Sequence, residues 1–487
     1  MGAATAVRTL EVYFWALVVI GLAAAWGQSQ ADAELFQVTT AAGVAVTLFG
    51  ARAFIGHGQG RITALGLFNL STALFVGFGA IYAGNTQESM VPAYYLLAAT
   101  LGAFVPQIAI TFFGWGKAGN VTPQFPEQVT NTWLSWAGLI ALGAAGVAKS
   151  ISALTSFAPY IEATAFAAIT VITVGFFWRT KARLLSVATL FVGALVIMYA
   201  EVFHIGTGRL RIVALVCTVG VIISARFQRR AIKWVTIVAI GPALYWLAQD
   251  RKDLQESLHA GGSAGRNGLE SMLEPIQVFA KLIRAHLENG FPLSYGYNLL
   301  SYPAAWLPEN VFPDAPQALG YELVKVHAPE RYGSGYSVVA TSSGEAYFNF
   351  GVVGLVLMIP VLVYLLNFLD RAMVKRMSSP ASGTLALLGI VFWAMLAGGI
   401  SDLTWSGQHT LLTRATTRLP LLIALAVIAW MHAKLGAKKK SATVRRIPRV
   451  QASRSELPAH ASGRPAALAI HRRVPGGNGD SGGSLNI

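Results

Sequence analysis

Glu345 and Asn349 stand one helical turn apart in "SSGEAYFNFGVVG" (342–354), where small polar residues give way to an apolar run that continues to Leu369. Positions i and i+4 share a helix face, so a carboxylate and an amide are offered together at the mouth of a membrane helix. That pair could take a proton from, and hold, a hydroxylated ligand. Val352 and Val353 are expected to continue this face, and Gly351 and Gly354 to let a neighbouring helix come close. A carboxylate at a helix N-terminus is also what a structural cap supplies, because it complements the helix dipole.

A second pair lies in "HIGTGRLRIVAL" (204–215), where Arg209 and Arg211 open an apolar segment. Two planar guanidiniums suit phosphate oxygens, which they pair bidentately. Snorkelling to lipid headgroups accounts for the same two residues. His204 is expected to pack at the interface. Further along, Arg284, His286, His327 and Arg331, with Tyr332 and Tyr336 in "HAPERYGSGYSVV" (327–339), offer charges and aromatic faces that could contact sugar or phosphate. Loop polar residues are commonly just solvated, so each also has a structural reading. A third cluster, "SDLTWSGQHTLLTRATTR" (401–418), places Asp402, His409 and Arg414 in a polar stretch expected to be a short outer or re-entrant segment, tolerated where protein or water surrounds it. The sequence has no Walker A loop, no HExxH pattern, no paired-cysteine metal site and no DxD arrangement, so neither a metal nor a cofactor is expected.

The elements that must position these residues are membrane helices. The chain is 54% hydrophobic and 12% charged over 487 residues, with mean hydropathy +0.54. Those values predict an all-α polytopic membrane bundle. Apolar segments long enough to cross a bilayer fall near 9–26, 35–55, 62–83, 92–113, 131–149, 158–178, 183–205, 209–225, 231–248, 345–369, 383–401 and 415–432. Twelve spans put Arg8, Arg52, Arg61, Lys117, "WRTKAR" (178–183), "RFQRRAIK" (226–233) and "DRAMVKR" (370–376) on one side, and only Lys149 in the first three opposite connections. The positive-inside rule then makes both termini cytoplasmic. The net charge of +15 resides largely in residues 433–487, where eleven Lys/Arg face Glu456 and Asp480. Such a basic, Gly- and Pro-rich tail is expected to be disordered beside anionic lipid, and nucleic acid is not an expected partner.

Four regions follow: spans one to nine (1–248), an outer segment (249–344), spans ten to twelve (345–432) and the tail (433–487). The outer segment carries ten of the 22 Asp/Glu and is too long to lack structure of its own. Within it, apolar residues from Leu269 to Leu287 recur at helical spacing, with Pro275 near a start or kink and Asn289-Gly290 as a stop. The apolar face of this helix should lie on the membrane surface or on the bundle. Cys217 is the single cysteine, so no intramolecular disulfide is possible. Arg8 precedes a long apolar stretch with no cleavage pattern, and the first helix is expected to remain as an anchor.

The late outer segment ending in "SVVATSSGEAYFNFGVVGLV" (337–356) resembles the Wzy-type oligosaccharide repeat-unit polymerases, which group with O-antigen ligases among integral-membrane glycosyltransferases. "GTGRLR" (206–211) is similar to the Thr-Gly-Ser-Arg stretch that opens a helix before the loop in that superfamily. It lacks the Ser, which leaves Arg209 and Arg211 both open as the counterpart. The likeness covers topology throughout and sequence mainly at 206–211 and 289–356. It implies metal-independent transfer of a polyprenyl-diphosphate-linked glycan onto another lipid-linked unit, at the outer face of a bacterial inner membrane. Glu345 would serve as base, with Arg209, Arg211 and Arg331 as cations toward the diphosphate. Asn349, Tyr332, Tyr336, Arg284, His327 and Arg414 would bind substrate. A flippase and a chain-length regulator would be partners. A ligase-type transferase, a twelve-helix secondary transporter with Glu201 as its best acidic residue, and a scaffold for other assembly enzymes are the rival readings.

The single native cysteine makes topology testable. Cysteines placed singly in 289–316 should react with a membrane-impermeant maleimide on intact cells, and cysteines in 437–460 only after permeabilisation. The reverse pattern would invert the orientation.

Overall fold

The computed structural model describes residues 3–29, 31–86, 91–115, 133–177, 185–204, 210–240, 273–304, 316–333, 337–378 and 383–444. All regular structure among them is helical, as backbone groups in hydrocarbon require internal hydrogen bonds. The long helices are α1 (Ala3–Gln28), α2 (Asp32–Gly56), α3 (Ala64–Thr86), α4 (Ala93–Gly114), α5 (Trp133–Ser150), α6 (Ala158–Phe177), α7 (Ser186–Phe203), α8 (Leu210–Phe227), α9 (230–240), α10 (Pro275–Asn289), α11 (Thr341–Met377), α12 (Thr384–Ser406) and α13 (Gln408–Val444). Ten described segments are long and apolar enough to cross a membrane, which makes the chain an all-α multi-pass membrane protein. Two of the twelve predicted spans fall outside that set. The segment at 131–149 forms α5, and α9 runs to the edge of the described residues, with 241–248 beyond it. The chain divides into a compact unit, Met1–Ala433, and a second unit, Lys434–Ile487.

Lipid tails give helices no hydrophobic reason to associate, so close packing and polar contacts must hold the bundle. Glycines on α2 and α3 supply the packing: a Cβ on Gly43 would sit 2.7 Å from the Gly77 carbonyl oxygen. A polar clamp lies beside this seam, where Asn69 Oδ1 accepts from Gln107 Nε2 at 3.1 Å and from Thr111 Oγ1 at 2.9 Å, all three residues buried. α6 is the central helix, buried over nearly its whole length after Ile161.

The amphipathic helix of the outer segment forms as α10, with Pro275 at its start and Gly290 in the left-handed region (φ 62°) at its end. Its position is on the bundle. Ile276, Val278, Phe279, Ala280 and Leu282 are buried among α3, α4 and α11, and Phe279 packs edge-on against Tyr347 of α11. The stretch 401–418 is helical on both sides of one turn. Ile400–Ser406 continues α12 as helix, a single turn at Gly407 (φ 88°) reverses the chain, and Gln408 begins α13.

Segments assigned to one side by charge do meet at one end of the bundle: Ile62 N donates to Ser224 Oγ at 2.8 Å, and Ala64 N to Asp370 Oδ1 at 2.7 Å. The other end holds Glu162, Arg211, Glu345 and the Gly407 turn.

The α2–α3 seam should tolerate no side chain. Gly43→Val should lower thermal stability in detergent by about 1–3 kcal/mol, the usual cost of overpacking. Gly193→Val on α7, where no atom lies within 4 Å of the added carbon, should leave it unchanged.

Candidate functional site

Phe350 (φ −142°, ψ 17°) and Gly351 (φ 61°, ψ −144°) leave the helical region and split α11 into two pieces. Only glycine adopts the Gly351 conformation without strain. A break at membrane depth frees carbonyls that need partners. One is supplied by the preceding loop, where Ser294 N donates to Phe348 O at 2.9 Å. Gly354 then lies so close to the Ala346 carbonyl that a Cβ would overlap it. The close approach expected of Gly354 is therefore made by the first piece of its own helix. The break also corrects the expected face. Glu345 and Asn349 are 6% and 1% exposed, whereas Val352 and Val353 turn outward at 68% and 62%.

Glu345 is held from the opposite hairpin. Its Oε2 accepts the Gln408 backbone N–H at 2.7 Å, at the free N-terminal turn of α13. Gly407 is the residue that permits this, since any side chain there would overlap the carboxylate and its φ of 88° already favours glycine. The other oxygen, Oε1, is buried with no hydrogen-bond partner among the described residues, and so is Asn349 Oδ1. Asn349 Nδ2 donates back to the Glu345 carbonyl at 2.8 Å, which leaves the amide oxygen turned away from that bond. Both side chains line a cavity of about 170 Å³ with Ser342 and Gln408, and its remaining wall is apolar, with Phe350, Leu299, Leu357, Met358, Val361 and Leu403 among it. An unpaired buried acceptor costs about 1–3 kcal/mol. Two such acceptors belong to residues lining one cavity, which makes it the candidate site.

The arginines form a second cluster at the same end. Arg211 pairs with Glu162 Oε2, while Glu162 Oε1 accepts from the Tyr199 hydroxyl at 3.1 Å and lies 3.2 Å from His204 Nδ1. Asp402 pairs with Arg414, and the Arg418 guanidinium stacks 3.6 Å over the Phe166 ring, within electrostatic range of Asp402, Arg414 and Arg211. Three guanidiniums face two carboxylates, so the cluster carries one surplus positive charge. Arg211 is thus engaged with Glu162 and is absent from the wall of the Glu345 cavity. Arg209 lies outside the described residues, as does Tyr336. The two groups are joined through the α12–α13 hairpin, which carries Asp402, Gln408, Arg414 and Arg418.

Loop residues predicted to touch substrate make local contacts. Arg284 pairs with Glu288 at 2.7 Å, and Tyr95 donates to the same carboxylate at 2.8 Å. Those two bonds, Arg284's first, hold Glu288 below the usual carboxylate range. His327 Nε2 lies 2.9 Å from Glu274 and is buried. Tyr332 is exposed with Lys325 Nζ 4.9 Å over its ring, and Arg331 is exposed, 4.0 Å from Glu330. What the loop gives the cavity is Leu299, on a short turn tied to α13 by Ser301 Oγ and His409 Nδ1 at 3.1 Å. Glu201 is exposed, and the acid that meets His204 is Glu162.

Glu162, Tyr199, Arg418 and Gln408 are the residues that sequence reasoning passed over. An ionisable residue inside an apolar span is a site signal by itself, and "APYIEATAF" (158–166) contained one. The Gln408 contact is made by backbone and leaves no side-chain signature.

The chain matches no family model, no curated protein and no solved structure. Fold and site together define a multi-pass helical membrane protein with a carboxylate cavity and an adjoining arginine cluster at one end of the bundle.

Glu162→Gln should destabilise the protein by about 3 kcal/mol, the lower end for a broken buried pair because Arg211 keeps some water. Arg211→Gln added to it should restore part of that loss in chemical unfolding. Strict additivity would show that the two side chains do not interact.

Proposed function

We propose that this protein is a metal-independent glycosyltransferase that polymerises lipid-linked oligosaccharide repeat units at the outer face of a bacterial cytoplasmic membrane. The observation that carries the reading is the Glu345 cavity: one carboxylate oxygen fixed by Gln408, the other without a hydrogen-bond partner among the described residues, and a polar wall meeting an apolar one. A polyprenyl-linked sugar has the same division, with hydroxyls at one end and a hydrocarbon chain at the other. Orientation supports it too. The opposite end carries Arg226, Arg229, Arg230, Arg371, Lys375 and Arg376, which the charge rule assigns to the cytoplasm, so the cavity end faces outward.

In this reading an acceptor hydroxyl of one lipid-linked unit donates its hydrogen bond to Glu345 Oε1. Its oxygen attacks the anomeric carbon of a second unit, the bond from that carbon to the diphosphate oxygen breaks, and the electron pair leaves with the diphosphate. The hydroxyl proton passes to Glu345. The surplus positive charge around Arg211, Arg414 and Arg418 offsets the charge developing on the leaving group. Glu162 and Asp402 position two of those guanidiniums. Asn349 holds a sugar hydroxyl through its amide oxygen. A ligase-type reaction would use the same donor and differ only in its acceptor.

The break at Phe350–Gly351 favours a second reading, a secondary transporter, because interrupted helices form substrate sites in such proteins.

Purified protein in liposomes containing lipid-linked repeat units separates the two. Wild type should form polymer, and Glu345→Gln, still inserted and monodisperse, should lose at least about 100-fold in rate, the lower bound for removing a general base. Unchanged polymer length and yield in Glu345→Gln would reject the base assignment. Accumulation of solute in the vesicles without polymer would favour transport.

A further inference from the structure

At the end of the bundle away from Glu345, the α2–α3 connection folds against the α8–α9 connection. Gly58 (φ 76°) and Gln59 (φ 54°) are both left-handed, as is Gln228 (φ 52°) on the facing segment. A Cβ on Gly60 would overlap the Gln228 carbonyl, so the two backbones touch there. Left-handed non-glycine residues cost free energy and persist where the surroundings fix them, commonly at binding sites. Between the segments lies a cavity of about 250 Å³ lined by Gly58, Gln59, Gly60, Arg61, Gln228 and Arg230.

The charges of that lining are all positive. Arg61 is buried, 6% exposed, and Arg230 is exposed at the start of α9. Among the described residues, no carboxylate lines the cavity. The nearby acid, Asp370, accepts from the backbone N–H groups of Ala64 and Leu65, and keeps one oxygen without a hydrogen-bond partner among the described residues. Its charge reaches Arg61, so it balances one of the two lining guanidiniums. Lys233, fully buried, donates to the carbonyls of Phe54, Ile55 and His57 at the end of α2, so it closes that helix. Burial depresses the proton affinity of the Arg61 guanidinium, and the Asp370 charge offsets this in part. The first turn of α9 adds its positive dipole end. A helix start, a buried guanidinium and a second guanidinium around one polar cavity make a site for a tetrahedral oxyanion.

We propose that this cavity binds a phosphate group, presented as an anionic lipid headgroup or as free phosphate, and that the bound group ties the 57–61 connection to the start of α9. The site is separate from the Glu345 cavity and does not rest on the glycan reading.

The test uses purified full-length protein, wild type and two variants, Arg230→Ala and Arg229→Ala. Arg229 is an exposed neighbour of the same charge that does not line the cavity. One arm measures the thermal shift on titrating inorganic phosphate against chloride at matched ionic strength. The other measures, by native mass spectrometry, lipid retained from nanodiscs of phosphatidylglycerol against phosphatidylcholine. The proposal expects saturable phosphate stabilisation, selective phosphatidylglycerol retention, or both. Arg230→Ala should weaken the response about tenfold or more, as for loss of a charge-assisted hydrogen bond, and Arg229→Ala should leave it unchanged. A response in the phosphate arm alone identifies the free ion, and one in the lipid arm alone the headgroup. No response in either arm, or equal loss in both variants, would overturn the site.

Discussion

Carboxylates taken out of water set the terms for the cavity end of this bundle. Glu162, Asp402 and Glu345 are all buried where hydrocarbon or protein replaces solvent. A buried charge demands a partner, and two of the three have a guanidinium: Arg211 for Glu162 and Arg414 for Asp402. Glu345 has one backbone N–H and an oxygen with nothing to accept from. Asp402 Oδ2 is likewise without a hydrogen-bond partner among the described residues, so what sets Glu345 apart is that no guanidinium among them pairs with it and that its side chain lines a cavity. The Gln408 contact also accounts for the glycine at 407, since that N–H reaches the carboxylate only where no Cβ intervenes.

The rest of the architecture keeps this arrangement in place. The interruption of α11 at Phe350–Gly351 turns Glu345 and Asn349 inward while the following residues face outward. The loop ahead of it satisfies the freed Phe348 carbonyl and sends Leu299 to the cavity wall. The buried α10 packs Phe279 against Tyr347, two residues from Glu345, so this helix is part of the core that fixes the site. The α12–α13 hairpin connects cavity and arginine cluster, and a displacement of that turn would be felt by both.

Much of this was legible in the sequence. Composition and segment length gave the all-α membrane fold, and the acid and amide one turn apart do share a buried face. Asn289-Gly290 and Pro275 marked both ends of α10. The failures have physical causes. A helix break at Phe350–Gly351 reads as continuous apolar sequence, because glycine within a hydrophobic run signals close packing as readily as a positive φ. Arg211 was matched with phosphate because its partner, Glu162, lies 49 residues away on another helix. The 401–418 stretch was read as a short outer or re-entrant segment because its polar residues suit a loop, yet they face one another across a tight helical hairpin. Gln408 acts through its backbone, which no side-chain pattern reports.

The central claim is that the unpartnered oxygen of Glu345 receives a sugar hydroxyl from a lipid-linked glycan. A cryo-EM structure of the protein in nanodiscs with a lipid-linked oligosaccharide tests it most directly. The account predicts a hydroxyl within about 3 Å of Glu345 Oε1, the reach of a general base, with the hydrocarbon chain along Leu357 and Val361. Glycan density elsewhere, with that oxygen still facing only protein, would contradict it.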